Sequence, residues 1–187
     1  MSLMEMCHKV GAKVPKITDS GLIDGKEYIV MKKLPGRKLS EDWHTFSSEL
    51  KESFIAQTAE QLKLLHSISF EKYSPQRPLE FDSWKDAAQY HIDFSFVETT
   101  DFDGESSENI LLLKDYLEDN IQLLQKSDPP VLVHNDLHFE NILYEGDRIT
   151  ALFDFDFARQ APKEYELWHL IDFFHTPVFF VEKELES

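Results

Sequence analysis

Cysteine is almost absent: Cys7 stands alone among 187 residues, so no internal disulfide can form and no framework of cysteine metal ligands exists. That usage leads to the expectation of a reducing, cytoplasmic setting. No apolar run approaches the ~20 residues of a membrane span, and no early segment carries the flanks of a signal peptide, so no membrane partner is expected. Met1-Ser2-Leu3 ahead of Met4 reads as a leader before a second start. Cations are scarce too, with 19 Lys and Arg against 35 Asp and Glu, a formal charge of −16. A nucleic-acid footprint needs clustered basic residues, so nucleic acid is not an expected partner. The acidity suits a cationic small substrate, which an acidic cleft would concentrate, although solubility alone also accounts for it.

What is present is core-forming material: 42% hydrophobic residues, including 15 Phe, argue against disorder. Val14-Pro15-Lys16-Ile17 and Glu27-Tyr28-Ile29-Val30-Met31 read as two strands around an Asp24-Gly25 turn, stopped at Leu34-Pro35-Gly36. Ser40-Glu41-Asp42 reads as a helix start with a capping hydroxyl. Leu50, Phe54, Leu62 and Leu65 mark a second helix, residues 83–97 an aromatic-rich third. The series Ile110, Leu113, Leu117, Ile121, Leu124 predicts an amphipathic helix that Pro129 and Pro130 close. Val131-Leu132-Val133 reads as a buried strand, and Ile142-Leu143-Tyr144 and Ile149–Phe153 as a hairpin across Glu145-Gly146-Asp147. A last helix is expected from Glu164 to Phe174. The order, a small β fragment, several helices and a late hairpin, predicts an α+β fold with residues 1–39 as one part and 40–187 as the other.

The chemistry gathers in His134-Asn135-Asp136-Leu137-His138-Phe139-Glu140-Asn141 and Leu152-Phe153-Asp154-Phe155-Asp156. Phosphoryl transfer from ATP needs a carboxylate to orient and deprotonate an attacking hydroxyl, and oxygen ligands for magnesium. Protein kinases separate base and metal-binding asparagine by four residues and bring a second acid back on a hairpin. Asp136 and Asn141 have that separation, and Asp154 follows Asn141 with twelve residues between, on the far strand of the predicted hairpin.

This stretch resembles the H-G-D-x-H-x-x-N motif and following acidic segment of the aminoglycoside phosphotransferases and their choline-kinase-like relatives, with Asn135 where glycine is usual. Val14–Ile17 and Glu27–Leu39 resemble the strand entry and hinge of the same family, so the likeness spans nearly the whole chain. It implies a protein-kinase-like fold: the helical C-lobe with a small β remnant of the N-lobe and the hinge. It also implies Asp136 as catalytic base, Asn141 and Asp154 as magnesium ligands with Asp156 beside them, and His134 and His138 as structural members of the loop. Adenine of ATP would meet the backbone near Met31 and Lys33, with Ile29 and Met31 shaping its pocket. The acceptor would be a hydroxyl of a small molecule, aminoglycoside-like or another amine or alcohol.

The resemblance also implies parts that are not found. Thirteen residues precede Val14, without a glycine-rich loop, and Lys13, Lys16 and Glu5 stand in the wrong context for the phosphate lysine and its glutamate partner. A chain truncated at the N-lobe, its transfer weakened or lost, is therefore expected, and a non-catalytic binding module is the alternative. The apolar segment Pro177–Val181 suggests packing back or an oligomer contact. A zinc site of His134, Asp136 and His138 on one strand face is a rival that leaves Asn141 and Asp154 unexplained. Trp43, Trp84, Tyr90 and Trp168 are expected to fill the core, and Asp101, Asp103 and Glu105 to form a solvated acidic loop.

Overall fold

Residues 2–75, 78–98 and 105–166 are described by the structure, a computed structural model. The Asp101–Asp103 acidic loop, Trp168, the 177–181 segment and the expected helix beyond residue 166 lie outside the described residues, as does the side chain of Glu105. Among the described residues no helix is long and apolar enough to cross a membrane.

The chain opens with a capping box: the Ser2 hydroxyl accepts the Glu5 N–H while the Glu5 carboxylate takes the Ser2 N–H, starting α1 (Leu3–Lys9). Cys7 on this helix is fully buried, and burial pushes its thiol up to about 11. Strands β1 (Ile17–Ile23) and β2 (Lys26–Met31) pair antiparallel. Asp24 and Gly25 between them both adopt left-handed backbone, φ 51° and 76°, as a two-residue hairpin turn requires. The first strand starts three residues later than the apolar run suggested, because Val14 is buried and Pro15 carries no N–H for a ladder.

After the hinge, β3 (Arg37–Lys38) leads into the short helix α2 (Leu39–Asp42). Ser40 does not cap it; Lys38 holds the cap position without a side-chain bond, and the Ser40 hydroxyl donates instead to Glu140 Oε1 at 3.1 Å. Helix α3 (Ser48–His66) starts at Ser47, whose hydroxyl accepts the Leu50 N–H, and buries Phe54, Gln61, Leu62 and Leu65. Strands β5 (Ile142–Glu145) and β6 (Arg148–Leu152) form the late hairpin, and β3 pairs with β5 to give the antiparallel order β3-β5-β6.

Gly36 is indispensable to that edge. Its φ is 108°, and a Cβ there would stand 2.4 Å from the Tyr144 carbonyl oxygen of β5. Helix α3 holds the hairpin through Gln57, which donates to the Asp147 carbonyl at 2.8 Å and accepts the Ile149 N–H at 3.0 Å. Lys13 adds its N–H to Gln61 Oε1, its ammonium to the Ile149 carbonyl at 2.7 Å and its carbonyl to the Leu152 N–H.

The chain divides into two compact units. The first takes residues 1–68, 133–158 and 164–187 and contains the elements above; the second takes 69–132 and 159–163. The second is built from α4 (Trp84–Glu98) and α5 (Glu105–Asn120), then a 3₁₀ turn over Ile121–Lys126, with β4 (Val131–Val133) pairing β7 (Arg159–Ala161). Trp84 is buried and packs 5.8 Å from Tyr73, as expected of a core residue; Tyr90 stacks between Phe81 and Phe94. The predicted apolar stripe is only partly buried: Leu113 is 52% exposed, whereas Ile121 is 7% exposed. Helix α5 ends at Asn120, before the prolines, and the 3₁₀ turn tightens the last stretch.

Candidate active site

The site is assembled from the loop that follows β4 and the end of β6, all within the first unit. Asn135 adopts φ 62° and Asp154 φ 64°. Asparagine and aspartate are the non-glycine residues that accept this left-handed region most readily, which explains how Asn135 stands where glycine is usual. Leu137, fully buried, anchors the loop between Asp136 and His138.

Asn141 is buried and its side-chain amide donates to both the Asp136 carbonyl at 2.9 Å and Asp136 Oδ2 at 3.1 Å. Its own carbonyl accepts the Phe153 N–H at 3.1 Å, so the end of β6 is tied directly to the loop that carries Asp136, one residue before Asp154. His138 Nδ1 accepts the Glu140 N–H, and its Nε2 stands 3.6 Å from Asp136 Oδ1. Asp136 is partly exposed, and Asp154 and Asp156 are exposed.

His134 is wholly buried. Its Nε2 lies 3.0 Å from the Phe153 carbonyl, and its ring packs 4.4 Å from Phe155. A carbonyl only accepts, so Nε2 carries the proton and Nδ1 is bare. Burial holds this imidazole below its usual range, with Glu166 opposing. His134 is thereby bonded to the end of β6, and His138 bonds within its own loop. Among the described residues no three His, Cys, Asp or Glu side chains gather as a metal cluster. An amide oxygen and one or two carboxylates fit magnesium, which completes its shell with water and phosphate.

Two residues that sequence reasoning passed over complete the loop. Glu140 accepts from Lys38 Nζ and the Ser40 hydroxyl, both at 3.1 Å, and these bonds hold its carboxyl below the usual range. Glu166 is fully buried and accepts the N–H groups of His134 at 2.5 Å and Asn135 at 3.1 Å. The Lys38 contact had no signal in the sequence, because it links residues 102 apart. Phe139 packs 4.2 Å from Trp43, which lies after α2. The hinge residues Ile29 and Met31 share one side of β2 and are 58% and 52% exposed, and Lys33 is exposed. Lys13, with its ammonium on a β6 carbonyl, has a structural task.

A family model described as the phosphotransferase enzyme family matches residues 2–182. No curated protein matches the chain. Among solved structures, the apo form of a thermostable mutant of aminoglycoside phosphotransferase APH(4)-Ia is 20% identical, with a TM-score of 0.69 over 86% of this chain and 55% of that one. The streptomycin-ATP-APH(2")-IIa ternary complex is 23% identical, with a TM-score of 0.63 over 89% of this chain and 55% of that one. The gentamicin-APH(2")-IIa complex is 20% identical, with a TM-score of 0.62 over 98% and 68%. These likenesses show the protein-kinase-like fold that the motif implied. The chain spans 55% of the length of the first two.

Proposed function

The chain belongs to the phosphotransferase enzyme family, and from that premise we propose that it moves the γ-phosphoryl group of ATP to a hydroxyl of an amine-bearing small molecule. The observation that supports this reading most is the bond from the Asn141 amide to Asp136 Oδ2, made while the Asn141 carbonyl holds the strand that delivers Asp154. One locked asparagine thereby sets both the base and the metal-facing acid.

Asp136 accepts the proton of the acceptor hydroxyl as that oxygen attacks the γ-phosphorus and the bond to the leaving ADP oxygen breaks. The Asn141 side-chain oxygen and Asp154, with Asp156 close behind, would hold magnesium. That ion supplies neutralisation of phosphate charge when bound. His134 and His138 keep the loop in shape. Backbone groups around Met31 and Lys33 would meet adenine, with Ile29 and Met31 against its faces. Two of the solved structures named above, both of APH(2")-IIa, hold streptomycin or gentamicin, and a polycationic acceptor agrees with a chain of charge −16.

Calorimetry of ATP binding with and without magnesium tests this, alongside turnover with streptomycin or gentamicin as acceptor. Asp136→Ala is expected to bind Mg-ATP like the unaltered chain and to lose transfer. Asp154→Asn preserves the left-handed backbone preference and removes the charge, so binding should lose its magnesium dependence. Equal transfer by Asp136→Ala and the unaltered chain would sink the assignment. Magnesium-dependent binding without any transfer would favour a nucleotide-binding module instead.

A further inference from the structure

We infer that Glu140 is a positioning residue for Asn141, its carboxylate bridging the fork at which the chain leaving the hinge parts from the β5-β6 hairpin. The inference deepens the transfer reading and rests on it for its effect on rate, though not for its geometry. The β3-β5 ladder ends at the pair Lys38 and Leu143. Beyond it the two backbones separate, one into α2 at Leu39 and the other into the 3₁₀ turn Phe139–Asn141 that precedes β5. Side chains take over where the ladder stops.

Glu140 spans the gap with both oxygens: Oε2 accepts from the Lys38 ammonium and Oε1 from the Ser40 hydroxyl, each at 3.1 Å. Phe139, the residue before it, packs 4.2 Å from Trp43 just past α2. Residue 140 is also held by its backbone, the N–H donating to His138 Nδ1 at 3.2 Å. The next residue is Asn141, whose N–H returns to the His138 carbonyl at 2.8 Å and whose amide donates to Asp136 Oδ2. The bridge therefore joins the segment that leaves the hinge to the turn that carries Asn141.

Magnitudes decide what kind of role this is. The Lys38 and Glu140 side chains are 44% and 53% exposed, and exposed pairs contribute little to global stability. Two bonds on one carboxylate still fix the direction in which a loop residue leaves its neighbour. A misplacement on the order of 1 Å at reacting groups costs about a hundredfold in rate, so turnover is far more sensitive to the bridge than folding is.

The test uses the full chain with Glu140→Ala, with Lys38→Met, and with the exchanged pair Lys38→Glu and Glu140→Lys. Thermal unfolding, turnover with Mg-ATP and streptomycin or gentamicin, and the NMR shifts of the Asn141 side-chain amide protons are read for each. Both single variants should lower kcat about threefold to tenfold, the scale of two exposed bonds, with KM for ATP changed less than about twofold. The thermal midpoint should move by no more than about 3 °C. Both single variants should shift the Asn141 amide protons, and the exchanged pair should return shifts and kcat most of the way, which a space-filling role would not do. Amide shifts unmoved in both single variants, an exchanged pair no better than the worse single variant, or a large loss of stability with kcat unchanged would each overturn the inference. Should Asp136→Ala prove as active as the unaltered chain, the transfer reading falls, and the Asn141 amide shifts still decide the bridge.

Discussion

At the scale of single residues, the active loop is governed by backbone conformations that few side chains accept. Asn135 and Asp154 are both left-handed, and the Asn135 side-chain oxygen has no partner among the described residues. Replacement at 135 therefore breaks no bond to that oxygen. Asn135→Gly should leave thermal stability nearly unchanged. Asn135→Val should lose roughly 1–2 kcal/mol, the left-handed penalty of a residue with a branched Cβ, measured by denaturant unfolding. The motif itself was legible because Asp136, Asn141 and Asp154 keep a spacing that one loop and one hairpin impose. Glu166 was not legible: in Glu164-Tyr165-Glu166 nothing distinguishes a buried anion from the solvated acids of a surface helix. Only the fold shows that two amides wait for it. Glu140 was hidden for a similar reason, since its partners Lys38 and Ser40 arrive from another part of the sequence.

Among the elements, hairpins were easier to read than helix ends. Turn chemistry is local, and Asp24-Gly25 and Glu145-Gly146-Asp147 each specify their own bend. A cap is a competition, and the Ser40 hydroxyl went to Glu140 instead of to the first turn of α2. The α5 stripe was read as one face of an amphipathic helix from its period, but period fixes a face and not what covers it, and Leu113 is half exposed. The hinge carries the sharpest constraint at this scale. Thr150 donates to the Pro35 carbonyl at 2.9 Å, so the peptide before Gly36 is drawn down onto the β5-β6 hairpin. Gly36→Ala would set a methyl 2.4 Å from the Tyr144 carbonyl oxygen, which backbone cannot yield without breaking the β3-β5 pairing. Unfolding experiments should show a loss of more than about 2 kcal/mol, from overpacking and left-handed strain together. On the adenine contacts proposed for Met31 and Lys33, which lie just ahead of that glycine, nucleotide affinity should weaken with it.

For the molecule as a whole, Cys7 is an internal reporter of unfolding. Its thiol is fully buried and pushed up to about 11, so a thiol reagent at pH 8 should react slowly with the folded chain and rapidly once denaturant opens the first unit. The raised value also sets a sign: the unionised thiol is the favoured folded form, so its share of stability is complete below the ordinary thiol range near 9 and is lost as pH climbs through 11. A reaction rate at pH 8 equal in folded and denatured chains would contradict this. The composition of the two units bears on how the protein is made. Residues 69–132 are continuous, so the bulk of the second unit leaves the ribosome as one stretch. The first unit must wait, because Lys13 closes on Ile149 across 136 residues and Gln57 on Ile149 across 92. At the usual pace of translation that wait is on the order of ten seconds, during which α1 and α3 are outside the tunnel without the hairpin that covers them. A nascent chain halted before β6 emerges should therefore be a substrate for chaperones.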